Sequence, residues 1–315
     1  MRAGRWSFDL LKFIGRRLLT VIPILIVVSI LVFLMIHLMP GDPARVIAGE
    51  TASDEDVQNV RVSLGLDRPL YVQYLSYLAR LAQGDLGRSA RSGRPVSQEI
   101  GFRFVNTMRL SVWAILFATA FGLAAGIVSA TKRYSFFDNL SMVIALIGIS
   151  ITPFYLGLML MLWFSVRIPL FPLMGLDTPL AIVLPAVTLG ARPLAIIARM
   201  TRSSMLEVFG QDYILTARAQ GLTETQVIFR HALRNALNTV VTVVGLQFGQ
   251  LLGGAVITES VFALPGIGRL AVESIKSRDF AVVQACVLAM AISFVLINLV
   301  VDVLYAYINP RIRLS

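Results

Sequence analysis

Residues 180–200 read Leu-Ala-Ile-Val-Leu-Pro-Ala-Val-Thr-Leu-Gly-Ala-Arg-Pro-Leu-Ala-Ile-Ile-Ala-Arg-Met, and whether this stretch crosses a membrane decides the architecture. A spanning helix needs about 20 predominantly apolar residues. The uncharged part of this stretch, residues 178–191, offers 14 before Arg192 and Pro193 interrupt it. Taken alone it suits a span or a short buried helix. The remainder of the chain resolves the choice. Uncharged runs elsewhere cover residues 18–41 (24 residues), 110–131 (22), 139–166 (28), 235–258 (24) and 280–301 (22). These are five spans by length. With a sixth at 180–200 and the N-terminus inside, the cytoplasmic segments collect 14 basic and five acidic residues, among them Arg16, Arg17, Lys132, Arg133, Arg202 and Arg218. Without it, every arginine from Arg167 to Arg234 moves outside, against the tendency of basic residues to stay on the cytoplasmic side. Six spans with both termini cytoplasmic are therefore expected.

Composition supports a lipid-embedded chain. Of 315 residues, 57% are hydrophobic and 15% charged, whereas soluble domains carry about 25% charged residues. The mean hydropathy of +0.77 agrees. A cytosolic globular enzyme, a nucleic-acid-binding domain and a disordered chain are all excluded by this balance. The net charge of +10 then marks the cytoplasmic face rather than a nucleic-acid partner. The single cysteine, Cys286, lies in an apolar run and reads as a small buried hydrophobe. The first apolar stretch, Leu18–Leu38, is longer than the 7–15 residues of a signal-peptide core and ends in Met39-Pro40-Gly41-Asp42-Pro43, so it is expected to be a retained helix.

Two loops stand out. The segment after the first span carries eight basic and eight acidic residues, unlike the basic inner segments. Ser53 with Asp56 forms a capping-box pattern that opens a short helix bearing Val57, Val60 and Leu64, closed by Gly65. A second helix follows Pro69, with Tyr71, Tyr74, Leu75, Leu78 and Leu81 at helical spacing, and Gly84-Asp85-Leu86-Gly87 reads as a turn. The inner loop, residues 201–238, predicts a short helix over Tyr213–Gln220 capped by Asp212, with Gly221 in the left-handed position after it. Thr223 with Gln226 starts another helix. Ala217 and Ala219 leave a thin surface that another protein could approach. The same pattern suits a helix resting on its own bundle.

Smaller signals concern packing. Gly245, Gly249 and Gly253 in the fifth span, and Gly122 and Gly126 in the second, recur every four residues, which lets helix backbones approach closely, inside the bundle or against a second subunit. Pro153, Pro185 and Pro193 mark kinks. Asp302, the one acid read within a span, lies four residues after Asn298, as a hydrogen-bonded pair or a pathway residue. His37, alone at the outer end of a span, reads as a packed boundary residue. The sequence has no G-x-x-x-x-G-K-[ST] phosphate loop, no H-E-x-x-H and no G-x-S-x-G. A secondary transporter would be expected to carry several buried carboxylates and internal repeats, and a membrane hydrolase would need a nucleophile and base.

Tyr213-Ile-Leu-Thr-Ala-Arg-Ala-Gln-Gly221, followed by Arg230-His-Ala-Leu-Arg-Asn-Ala236, resembles the permease subunits of bacterial ABC importers, specifically the first (B-type) permease of the dipeptide/oligopeptide/nickel family. The resemblance extends over Phe13–Leu19, Pro40-Gly-Asp-Pro43, Gln83–Ser89, Arg202-Ser-Ser-Met-Leu-Glu207, Gly253–Glu259, Leu264–Arg269, Asn298–Asp302 and Asn309-Pro-Arg311. It implies an all-α integral membrane protein with the type I ABC importer permease fold. Residues 1–39 would hold the N-terminus and first helix, and 40–102 a small helical extracytoplasmic insertion. A five-helix core over 103–305 would follow, with spans at about 107–130, 140–166, 180–200, 239–258 and 281–306, and a cytoplasmic tail over 306–315. The coupling helix against the ATPase would use Tyr213, Leu215, Thr216, Ala217, Arg218, Ala219, Gly221 and Leu233. Aligned on Gly221, the general cytoplasmic signature of such permeases is matched at Ala217, Gly221 and Leu233.

The implied partners are a second (C-type) permease, two ATPase subunits that use ATP and Mg, an extracytoplasmic solute-binding protein and the lipid bilayer. No cofactor, metal, nucleic acid or catalytic residue is expected on this chain. The implied cargo is di- or oligopeptides, with nickel, glutathione or another small solute as alternatives, and the implied location is the bacterial inner membrane.

Overall fold

A computed structural model describes residues 3–38, 42–48, 52–63, 65–176 and 178–308. Leu64, the turn at Met39–Gly41 and residues 309–315 of the tail lie outside the described residues. Among the described residues the chain is helical throughout, with one isolated bridge between Arg88 and Pro95. In order come α1 (Ala3–Leu38), α2 (Pro43–Ala48), α3 (Asp54–Ser63), α4 (Leu70–Ala82), α5 (Val96–Thr131), α6 (Phe136–Ser150) and α7 (Pro153–Met161), which continues as a π-helical turn to Arg167. Then follow α8 (Val183–Phe209), α9 (Asp212–Ala219), α10 (Glu224–Gln226), a π-helical turn over Val227–Ala232, α11 (Leu233–Val261), α12 (Ile267–Lys276) and α13 (Phe280–Ile308).

Among the described residues, five helical stretches are long and apolar enough to cross a membrane: Gly15–Leu38, Val96–Thr131, Pro179–Phe209, Glu224–Val261 and Phe280–Val303. The remaining expected span, 140–166, is not one straight helix. It breaks into α6 and α7, bent by 106°. The cause is local. Pro153 occupies the first turn of α7, and the Thr152 side chain accepts from the Tyr155 N–H as its N-cap. Proline disfavours helical backbone in the residue before it, and both Thr152 and Ile151 are extended. The stretch that was weakest by charge spacing, Pro179–Phe209, is the most enclosed, with 61% of its most apolar window buried against 17–50% in the others. A helix largely surrounded by protein need not be apolar throughout; Pro193 lies on its buried side and Arg192 on its exposed side.

The chain forms two compact units. The first comprises residues 1–18, 107–264 and 293–315. Its core joins Leu110, Ile182, Leu189, Ile197, Val240 and Phe262, with α8 packed chiefly on α11 and α6. The second comprises residues 19–106 and 265–292, with a core of Val96, Ile100, Ile267, Val282 and the buried Cys286. In it, Phe33 of α1 stacks near Tyr74 and Tyr77 of α4. His37 is exposed rather than packed, at the end of its helix, with Nε2 3.1 Å from Gln73 Oε1 and its ring near that of Phe33. The capping box at α3 forms, with Ser53 Oγ accepting from the Asp56 N–H and Asp56 Oδ2 accepting from the Ser53 N–H. Gly65, Gly84 and Gly87 all hold positive φ at the turns around α3 and α4.

Candidate functional site

The inner loop is built on a small apolar seat. Ile214 and Ala217 of α9 are buried with Ala130, Met205, Val227, Ala232 and Ala236, and Leu233 packs partly buried against them. Two buried residues three apart face inward on one side of a helix of eight. The opposite side exposes Tyr213, Leu215, Thr216, Arg218 and Ala219. Ala217 therefore belongs to the seat, not to the surface that another protein could approach. The helix also starts one residue earlier than expected. Asp212 is its first residue, Gln211 precedes it, and neither supplies a side-chain cap. Asp212 instead places a carboxylate in the first turn, where it favours the positive end of the helix dipole.

Several bonds hold the helix in place. Gly221 has φ +82°, the left-handed position that stops α9. Arg218 donates to both carboxylate oxygens of Glu224, at 2.8 and 3.2 Å, and Asn235 Nδ2 donates to the Tyr213 hydroxyl at 2.8 Å. The capping box of Thr223 and Gln226 is complete. Tyr213, Leu215 and, beyond the turn, Phe229 remain exposed as large apolar side chains at 42%, 58% and 57%. The exposed side of α9 thus carries a tyrosine and an arginine, residue types enriched at protein–protein interfaces.

Immediately before this loop lies a buried ionic bolt that charge-gap reading missed. Asp138, at the start of α6, is 2% exposed and accepts from Arg202 Nε at 2.7 Å and Nη2 at 2.9 Å. It also accepts from the Ser129 hydroxyl and from the Tyr134 N–H at 2.9 Å. Four donors satisfy the carboxylate, which is what a buried charge requires. The sequence offered no signal that separates Arg202 from Arg192 and Arg199 of the same helix. A second buried acid, Glu259, is 1% exposed at the far end of α11 and accepts from the Thr107 hydroxyl. In the sequence Glu259 directly follows the uncharged run 235–258.

The glycines divide. A Cβ at Gly122 would lie 2.9 Å from the Leu194 carbonyl oxygen, and at Gly126 2.6 Å from that of Ala198. At Gly245 it would meet Val301 at 2.3 Å and at Gly249 the Asn298 side chain at 3.2 Å. These four sit where helices of this chain touch. Gly253 does not, since nothing lies within 4 Å of its Cβ position. Asn298 and Asp302 do not form a pair either. Asp302 binds Arg17 Nε at 2.8 Å, a cation that α1 brings within reach of α13, while Asn298 Oδ1 lies beside Gly249. Among the described residues no cluster of three metal-ligating side chains occurs.

Residues 122–314 match the family described as binding-protein-dependent transport system inner membrane component, and residues 10–121 match its N-terminal counterpart. The chain is 50% identical over 304 residues to the glutathione transport system permease protein GsiC of Escherichia coli strain K12, covering 96% of this chain and 99% of that protein. The same figures hold for GsiC of Shigella dysenteriae serotype 1 and of Salmonella paratyphi A. Among solved structures, a chain of the MetNI methionine ABC transporter in an inward-facing conformation aligns with TM-score 0.54 and 22% identity, over 67% of this chain and 96% of that one. An amino acid ABC transporter with histidines aligns with TM-score 0.54 and 14% identity, over 67% and 94%. At those identities the likeness concerns the fold.

Proposed function

The chain belongs to the binding-protein-dependent transport system inner membrane components, as a permease subunit of an ABC importer, and from that premise we propose that it forms half of a translocation pathway for short peptides, glutathione among them. The observation that carries the cargo is the 50% identity to glutathione permeases along 99% of their length. Glutathione is itself a tripeptide, so it fits the peptide class expected from sequence.

The other half of the pathway is a second permease, and two ATPase subunits supply the energy. The face of α9 that bears Tyr213, Leu215, Thr216 and Arg218 docks on one of them. The seat formed by Ile214 and Ala217 supports this role, because a helix held by buried contacts can pass a push on to α8 and α11. Both termini lie in the cytoplasm, in keeping with the basic residues around them. The outer loop between α1 and α5 receives cargo from a binding protein.

The test is uptake into proteoliposomes holding the assembled importer, its binding protein and ATP. Labelled glutathione should accumulate, and unlabelled di- and tripeptides should compete. Accumulation of nickel with no uptake of glutathione or peptide would overturn the cargo. Cysteines placed at Tyr213 and in the ATPase groove should cross-link in an active complex, and their failure to do so would overturn the docking face.

A further inference from the structure

The second unit contains a cavity of about 540 Å³ that none of the foregoing uses. Its floor is apolar, formed by Ile36 near the end of α1, by Leu81 of α4 and by Phe280, Ala285 and Leu288 of α13. Its lining also carries three exposed arginines, Arg80, Arg88 and Arg278. None of the three forms an ion pair among the described residues. Neither acid of the lining forms an ion pair among the described residues, and the Oδ1 of the buried Asp279 has no hydrogen-bond partner. Asp85 accepts from the Gly87 N–H at 2.9 Å, and Asp279 accepts from the Ser89 hydroxyl. Three guanidinium groups against two carboxylates leave the lining at a net charge of +1, the charge that one phosphodiester cancels.

The depth of the cavity matters. Leu288 lies eight residues into α13, which at 1.5 Å per residue is about 12 Å along the helix. Ile36 lies two residues from the end of the first span. The apolar lining is thus drawn from the last turn of α1 and the first turns of α13, two helices long and apolar enough to cross a membrane, and Arg278 immediately precedes α13. Guanidinium groups recognise phosphate by paired hydrogen bonds. One of them is held at a backbone cost: Arg278 has φ +55°, a left-handed conformation that glycine or asparagine adopts more readily. The volume falls within the range of ligand cavities, about 300–1,000 Å³.

We propose that this cavity binds a phosphate-headed lipid, its phosphodiester held by Arg80, Arg88 and Arg278 and the upper part of an acyl chain laid on Ile36, Phe280 and Leu288. A soluble phosphate would use the arginines and leave the apolar floor empty, whereas a lipid at this depth covers both. The site stands independently of the cargo and of the docking face.

The experiment uses the assembled importer, purified in detergent, with bound lipid measured by native mass spectrometry and stability by thermal unfolding. Phosphatidylglycerol should be retained and should raise Tm, while diacylglycerol, which lacks the phosphate, should not. A variant with Arg80→Gln, Arg88→Gln and Arg278→Gln should lose retention at least fivefold and lose the Tm response. The matching triple lysine variant, which keeps the charge, should keep most of both, and this separates lost recognition from lost folding. Stabilisation by glycerol phosphate equal to that by phosphatidylglycerol would overturn the lipid assignment. Undiminished retention in the glutamine variant, or loss in the lysine variant as great as in the glutamine one, would overturn the site.

Discussion

Asp138 and Arg202 show what one buried charge requires of its surroundings. With Arg202 replaced by methionine, the carboxylate stays enclosed with only Ser129 and the Tyr134 amide as donors. Breaking a buried pair from one side costs about 3–5 kcal/mol, so Arg202→Met should lower the Tm of the assembled importer markedly. Replacing both partners, Asp138→Leu with Arg202→Met, removes the stranded charge and should recover more than half of that loss. A double variant no more stable than the single one would refute this account of the pair. Gly221 is a backbone case. Nothing lies within 4 Å of its Cβ position and its φ is +82°, so a side chain there meets no clash and only the left-handed backbone opposes it. That costs about 1–2 kcal/mol for an ordinary residue, and more for a β-branched one. Gly221→Val should therefore reduce uptake while basal ATPase activity persists, and Gly221→Asn should retain most uptake. Equal uptake by wild type and the valine variant would show that the end of α9 need not be fixed.

At the scale of the element, the glycine stripes separate into contacts and open positions. On α5, a methyl at Gly126 would stand 2.5 Å from Thr201 Cβ and 2.6 Å from the Ala198 carbonyl oxygen. The backbone of α8 cannot retreat from it cheaply, and overpacking of this kind costs about 1–3 kcal/mol. Gly126→Ala should reduce both the yield and the Tm of the complex. Gly249→Leu should do so as well, through Asn298 and Phe294, whose side chains can partly give way. Gly253→Ala meets nothing in this chain and adds helix propensity, worth up to about 1 kcal/mol. It should be neutral or stabilising unless a second subunit covers the position, in which case assembly alone would suffer. Thermal unfolding and co-purification, measured on the same variants, distinguish these outcomes.

For the molecule as a whole, the two units predict separable losses. The core of the first unit, from Leu110 to Leu264, draws nothing from the outer loop. A deletion of about residues 50–90 in an importer that still assembles should keep basal ATPase activity and abolish its stimulation by the binding protein. Undiminished stimulation and uptake would mean that the loop only braces α1.

Five of the six expected spans, the helices of the outer loop and the existence of α9 were legible in the sequence. They depend on local quantities: the length of apolar runs, Ser53 with Asp56, Thr223 with Gln226, and a glycine where φ must be positive. Arg202 was legible as a basic residue just beyond the apolar stretch of α8, yet its partner Asp138 lies 64 positions away, and no periodicity connects two residues that meet only when helices pack. The same holds for Arg17 with Asp302 and Thr107 with Glu259. Spacing alone could not separate Gly126 from Gly253, because a small residue is equally compatible with a contact and with open space. Nor could it orient α9, whose Ala217 turned inward because the seat of Met205, Val227 and Ala236 exists only after α8 and α11 have come together. Local chemistry determined which segments are helices and where they stop; the packing of distant helices decided which polar groups are buried, with whom they pair and which faces stay free.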